Sequence, residues 1–296
     1  MAGGGRVAAL DGRRPSDSTA RARIRRPKRR LSVGAGHMTT RDSPPELADA
    51  YEVIGRFSST WYESILQLPP GLDRAVSSTY LLLRAIDEVE DHPRLSVETR
   101  VRLLRGISGV LQEQRREPDF SVPLHGCEGR LPDVSLRIGD WMELSPVDIA
   151  PRIQETAATM AERMASWAAD GWPVRTQADF ERYAYAVIGT VVLLLCDLWT
   201  WFDGTPVDRS LGIGYARALQ ALNVYGDREE DLARGVDLWP DGWTEADMRR
   251  YAQRQLSLGE RFVDSLPRHC PGRDFCHGIL NKARSVLPPS AEVART

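Results

Sequence analysis

From Pro45 onward the apolar residues of this chain recur at helical three- and four-residue intervals, with no repeated alternation of the kind that marks half-buried strands. Trp61, Ile65 and Leu68 share one stripe until Pro69-Pro70-Gly71 interrupts it. Leu72, Val76, Tyr80, Leu83 and Ile86 resume the rhythm. Pro93 ends it, because proline lacks a donor and crowds the preceding turn. Ser96, followed by Glu98, Leu103, Leu104 and Val110, predicts the next helix. Further helices are predicted from near Pro146 to Ala169, and over 177–202, 207–235, 244–266 and 274–286, with Gly171-Trp172-Pro173 as a break. The stretch from Glu117 to Gly129, which holds two prolines and two glycines, reads as a loop. The expected fold is all-α: one helical domain over 46–296 around a single core.

Residues 1–45 differ from the rest. They are rich in Gly, Arg, Ser and Pro, show no apolar period, and include the basic run RARIRRPKRR from Arg21 to Arg30. Such a composition cannot build a core, so a disordered tail is expected, or an upstream extension with translation beginning at Met38. The functional alternative is an arm that meets an anionic surface, including peripheral contact with a membrane, or nucleic acid. The net charge of −2 gives no general reason for a nucleic-acid partner. No apolar signal core is seen at the start of the chain. The cysteines, Cys127, Cys196, Cys270 and Cys276, form no C-x-x-C pair, so a reduced, cytoplasmic setting without zinc or disulfides is expected. The longest apolar stretch, Val187 to Cys196, falls short of the roughly 20 residues a bilayer needs and reads as a buried core helix; no integral membrane segment is expected.

Two acidic motifs carry the chemistry. In YLLLRAIDEVEDHP, Asp87 and Asp91 stand four apart and share one helix face with Arg84. Like charges at that spacing repel unless a cation sits between them, and at a helix C-terminus they also oppose the macrodipole. Alone, the motif is equally a solvated helix end. NVYGDREED repeats it with Asp227 and Asp231, and Asn223 and Gln220 lie one and two turns earlier on nearly the same stripe. Two such helices face to face would set four carboxylates around one cavity. Magnesium takes oxygen ligands of this kind and leaves positions for water and phosphate. A diphosphate held there becomes a good leaving group, because the charge that develops on C–O cleavage is neutralised.

Here the residues carry a recognisable pattern. Tyr80 to Asp91 resembles the first aspartate-rich motif of squalene synthases in its Tyr-x-x-x-Arg-Ala-x-Asp-x-x-Glu-Asp order, and Asn223 to Pro240 resembles the second motif of squalene and phytoene synthases. YAYAVIGTV, from Tyr183 to Val191, is similar to the family's central helix, and TMAERMA, from Thr159 to Ala165, to the helix before it. The resemblance runs from about Ser58 to about Val286. It implies an isoprenoid-synthase helical bundle with a central cavity, magnesium, and allylic prenyl diphosphate substrates. By matching position, Asp87, Asp91, Asp227 and Asp231 would bind metal, with Glu90 and Glu230 beside them. Arg84, Ser58, Thr60, Gln220 and Asn223 would serve the diphosphate, and Tyr80 and Tyr183 would line the reacting centre.

Two departures bear on the acceptor. The family's front motif, Ser-Arg/Lys-Ser plus an aromatic, reads Ser58-Ser59-Thr60-Trp61 here, without the cation. The Arg that precedes the second motif is Gly226, and Arg228 lies about 100° further round the helix than Asp227. Each lost charge-assisted hydrogen bond is worth about 1.5–3 kcal/mol. The expectation is therefore a prenyltransferase of specialised metabolism that passes one prenyl group to a non-isoprenoid, aromatic small molecule. Head-to-head squalene or phytoene synthesis is the alternative; a terpene cyclase and a non-enzymatic helical scaffold are the others. Trp61, Trp199, Trp201 and Phe202 read either as cavity wall or as core. His92 reads as a base or, better, as a partly exposed residue at a helix end.

Overall fold

The computed structural model describes residues 44–115, 118–127, 129–233 and 235–287. The basic run and Met38 lie outside them. Among the described residues every regular element is helical. Helix α1 (Pro45–Phe57) opens with proline at N1, where a missing N–H costs nothing. It stops at Ser58, whose extended backbone redirects the chain into α2 (Ser59–Ile65). The Ser58 hydroxyl accepts from the Trp61 amide at 3.2 Å, a cap that apolar spacing does not reveal.

Pro69-Pro70-Gly71 then separates α2 from α3 (Leu72–Glu90), as expected. This helix is the spine of the molecule, packed against α1 and against the helices that follow. Ser96 caps α4 (Val97–Gln112) by accepting from the Thr99 amide at 3.2 Å. The stretch expected to be loop contains a turn of helix, α5 (Ser121–Leu124), and two more short helices follow, α6 (Asp133–Leu136) and α7 (Ile138–Glu143). Elements this short leave no readable period. They are fixed by what they bury: Leu124, Val134 and Trp141 all enter the core.

Helix α8 (Ala150–Asp170) lies along α4. The predicted helix over 177–202 is interrupted. Helix α9 (Gln177–Ala184) passes into a π-helical turn, Tyr185–Gly189, and then α10 (Thr190–Asp203). Glycine allows the wide turn: a Cβ on Gly189 would stand 2.8 Å from the Tyr185 ring. The whole run Gln177–Asp203 is, by length and composition alone, enough to cross a membrane, which the shorter apolar stretch was not. Half of its most apolar window is buried inside the protein, and α10 packs on α3 and α8, which makes it the expected core helix.

The predicted helix over 207–235 is two helices, α11 (Arg209–Gly226) and α12 (Arg228–Ala233), meeting at a bend on Asp227. Helix α13 (Glu245–Ser265) lies along α11 and starts with a capping box between Thr244 and Asp247. Helix α14 (Pro271–Arg284) begins before the expected Asp274 and closes over α2. The four cysteines are free and buried.

Candidate active site

The first acidic motif ends α3. Carboxylate oxygens of Asp87, Glu90 and Asp91 lie within 4.8 Å of one another, so one helical turn presents three hard oxygen donors to a single point. A divalent cation of the magnesium type fits that donor set. Glu90 is buried, and burial, followed by the charges of Asp91 and Asp87, pushes its carboxyl well above the usual carboxylate range; Arg100 acts in the opposite sense. A folded-state acid held above its unfolded value binds extra protons in the native state, so stability falls as pH rises through that window. We therefore expect the metal-free protein to melt at progressively lower temperature as pH climbs above the ordinary glutamate range. Glu90→Gln should flatten that slope, and added Mg2+ should oppose it, as thermal melts across a pH series would read.

Arg84 lies alongside. Its Nη1 donates to Asp87 Oδ2 at 2.9 Å, and its Nη2 donates to Glu88. The second motif keeps its spacing through the bend. The Asp227 amide donates to Asn223 O at 2.8 Å and the Asp231 amide to Asp227 O at 3.0 Å, so the two aspartates stay one turn apart although Asp227 sits at the bend and Asp231 in α12. Asp231 is buried, whereas Asp227 and Glu230 are exposed. Among the described residues the tight acidic group is Asp87, Glu90 and Asp91; Asp227, Asp231 and Glu230 do not join it.

What links the two motifs is Tyr183 on α9. Its hydroxyl is pushed well above the ordinary range by burial first, then by the charges of Glu90, Asp91, Asp87 and Asp231. Charges from both motifs therefore act on one phenol.

Beside the motifs is a cavity of about 490 Å³. Ser58, Thr60, Arg84, Asp87, Gln220 and Asn223 supply its polar wall, and Trp61 and Tyr80 an aromatic one. The π-helical turn contributes Val187 and Ile188. Trp61 packs 5.0 Å from the Tyr80 ring and 5.4 Å from Phe275. The Tyr80 hydroxyl is pushed up to about 12, chiefly by burial and against the pull of Arg84. Tyr183 and the other motif carboxylates are not part of this lining.

Some expectations are corrected. His92 is buried, not partly exposed: its Nε2 lies 2.8 Å from Arg130 O, and the Arg94 amide donates to its Nδ1 at 3.3 Å. Both ring nitrogens are engaged, which removes it as a base. Trp199 is core, whereas Trp201 donates to Asp148 Oδ2 at 3.0 Å and, like Phe202, stands off the cavity. Arg228 stacks on Trp239, its guanidinium 3.7 Å from the ring centre, and is not part of the cavity lining, so it does not bring to that cavity the cation absent at Gly226.

One lining residue escaped the sequence. Lys282, on α14, reaches the same cavity as Arg84, with Ser285 beside it. A Cβ on Gly226 would stand 3.6 Å from Val286 Cγ1, so the place where the family carries its Arg abuts this same end of the chain. The only sequence signal was Lys282 lying three residues beyond Ile279, in what reads as an ordinary basic helix end.

The squalene/phytoene synthase family model matches residues 54–268. This chain belongs to that family. Its sequence is 28% identical over 208 residues to squalene synthase of Eremothecium gossypii, covering 66% of this chain and 46% of that one. Squalene synthase of Schizosaccharomyces pombe is 26% identical over 210 residues, covering 67% and 45%, and that of Homo sapiens is 26% identical over 205 residues, covering 66% and 46%. The match thus spans less than half the length of these relatives. A solved structure of TcSQS with the ligand BPH1237 superposes with a TM-score of 0.65 at 20% identity, covering 82% of this chain and 78% of that one. That likeness shows the all-helical fold.

Proposed function

We propose that this chain ionises allylic prenyl diphosphates and joins two of them head to head, as a prenyltransferase of the squalene/phytoene synthase type. The observation that carries the reading is the single cavity in which Arg84 and Lys282 join Asp87, Gln220 and Asn223. The absent cations at Ser59 and Gly226 argued against two anionic substrates. Lys282 restores positive charge from another helix and weakens that objection. The relatives, all squalene synthases by name, support the same choice.

Arg84 and Lys282 would hold the diphosphate oxygens, with Ser58, Thr60 and Asn223 in reach of the same group. A divalent cation held by Asp87, Glu90 and Asp91, with Asp227 and Asp231 across the site, would neutralise the charge that develops on the leaving group. The diphosphate departs with the C–O electron pair. The allylic cation left behind faces Trp61 and Tyr80, whose ring faces favour positive charge, while Val187, Ile188 and Leu219 keep water away. The double bond of the second prenyl group would then attack, and a proton would leave to the released diphosphate; departure of the second diphosphate with its C–O electron pair, followed by loss of a further proton or, where a nicotinamide cofactor is supplied, by hydride capture, would give the neutral hydrocarbon.

The test is the mass of the product formed from farnesyl and geranylgeranyl diphosphate with Mg2+, with and without a nicotinamide cofactor. C30 or C40 products from prenyl diphosphate alone are expected. A product only when a neutral aromatic acceptor is added would overturn the head-to-head reading. It would favour the second one, single-prenyl transfer, whose support is the missing cation at Ser59 and Gly226. For the diphosphate contact, Lys282→Gln should raise KM about tenfold with a smaller change in kcat, the scale of one charge-assisted hydrogen bond. Steady-state kinetics against Lys282→Arg checks it, and an unchanged KM removes Lys282 from the site.

A further inference from the structure

We propose that Trp172 is a positioning residue for the Glu90 carboxylate, and through it for the Asp87–Glu90–Asp91 cluster. The inference rests on that cluster being a divalent-cation site. It begins with the way α8 stops. The Gly171 amide donates to Ala168 O at 3.3 Å and the Trp172 amide to Trp167 O at 3.0 Å, the paired bonds of a Schellman ending, with Gly171 at φ +75°. The next residue does not relax. Trp172 itself sits at φ +51°, where a bulky side chain is rarely found. Pro173 follows, and a proline pushes the residue before it towards extended backbone. The Val174 amide bonds back to Trp172 O at 2.8 Å and closes a turn around that proline.

Strain of this kind persists only where the surroundings over-determine it, and it gathers at functional sites. The surroundings here are specific. The indole Nε1 donates to Glu90 Oε1 at 3.0 Å. The Arg100 guanidinium, from α4, stands 5.3 Å from the centre of the Trp172 ring, and its Nη2 donates to His92 O at 3.1 Å, one residue beyond Asp91. The link after α8 is thus fastened to the acidic end of α3 from two sides. A long, buried carboxylate would otherwise choose among rotamers. The indole N–H engages Oε1 and so orients the carboxylate that belongs to the cluster. Partners of this sort typically change metal affinity by about 10–100-fold when removed.

The experiment titrates Mn2+ into the full chain and follows free Mn2+ by electron paramagnetic resonance. Trp172→Phe keeps an aromatic ring for Arg100 to stack on but removes the N–H. It should weaken Mn2+ about tenfold, the lower end of that range, with a melting temperature close to wild type. In a Glu90→Gln background the same change should add nothing. Wild-type affinity in Trp172→Phe, or an equal loss with and without Glu90, overturns the proposal. Arg100→Gln is an independent check whose sign decides. Loss of a nearby positive charge would by itself tighten a cation, whereas loss of the clamp weakens it; tighter binding overturns the proposal. If the wild-type chain takes up no Mn2+, the cation site fails first and the positioning role with it.

Discussion

Replacing Asp87 and Asp227 together by Asn should abolish turnover of prenyl diphosphates, by about three orders of magnitude or more, while the helical fold stays near intact. The scale follows from losing preorganised charge at a developing leaving group, where a single donor is worth about 10²–10³ in kcat. One carboxylate is taken from each motif, so neither can stand in for the other. The fold should tolerate the change for local reasons. Asn matches Asp in size. After the substitution Arg84 still has Glu88 as an ionic partner. Asp227 is exposed at the bend with φ −96° and ψ 8°, a conformation asparagine accepts readily. Product mass spectrometry with Mg2+ reads the activity, and circular dichroism with a denaturant melt reads the fold. Turnover surviving in a folded double variant would sink the metal argument entirely.

Trp199→Ala should cost about 3–5 kcal/mol of stability, the usual range for emptying a large buried aromatic site. Trp199 is 1% exposed and meets Phe275 edge-on at 5.5 Å. Helix α14 approaches so closely that a Cβ on Gly272 would stand 2.5 Å from the indole Cε2. Gly272→Ala should therefore cost about 1–3 kcal/mol through overpacking against a rigid ring. With Trp199→Ala already in place that clash is gone, so Gly272→Ala should be close to neutral. The two changes are then strongly non-additive. Urea denaturation measures this as midpoint shifts at constant slope. Trp199→Phe should cost less and leave the product unchanged, since the indole Nε1 has no hydrogen-bond partner among the described residues. A changed product with Trp199→Phe would instead return this residue to the reacting surface.

Helices with strong local signals were readable in advance. Serine at 96, Pro69-Pro70-Gly71 and Gly171-Trp172-Pro173 each act on the backbone within a few residues, so their positions follow from the chain alone. The bend at Asp227 and the π-helical turn at Tyr185–Gly189 were not readable. Both preserve the apolar rhythm on either side, and a single extra or altered hydrogen bond changes neither composition nor spacing. The short helices α5, α6 and α7 escaped because elements of a turn or so show no period. The burial of His92 has no local signal, because its partner Arg130 O arrives from a distant segment.

The candidate site divides the same way. The acidic motifs, Arg84, Gln220 and Asn223 are spaced by one helical period, and that spacing is a property of sequence. It said which residues share a face. It could not say what the face meets. Tyr183 between the motifs, Lys282 across the cavity and Trp172 on Glu90 come from segments far apart along the chain from the groups they meet, and their chemistry depends on distances that only packing sets. The sequence by itself determined an all-helical chain with two acidic turns of the squalene/phytoene synthase type. The tertiary structure decided which charges share the cavity, because electrostatic and hydrogen-bond interactions act over a few ångströms of space, whatever the separation in sequence.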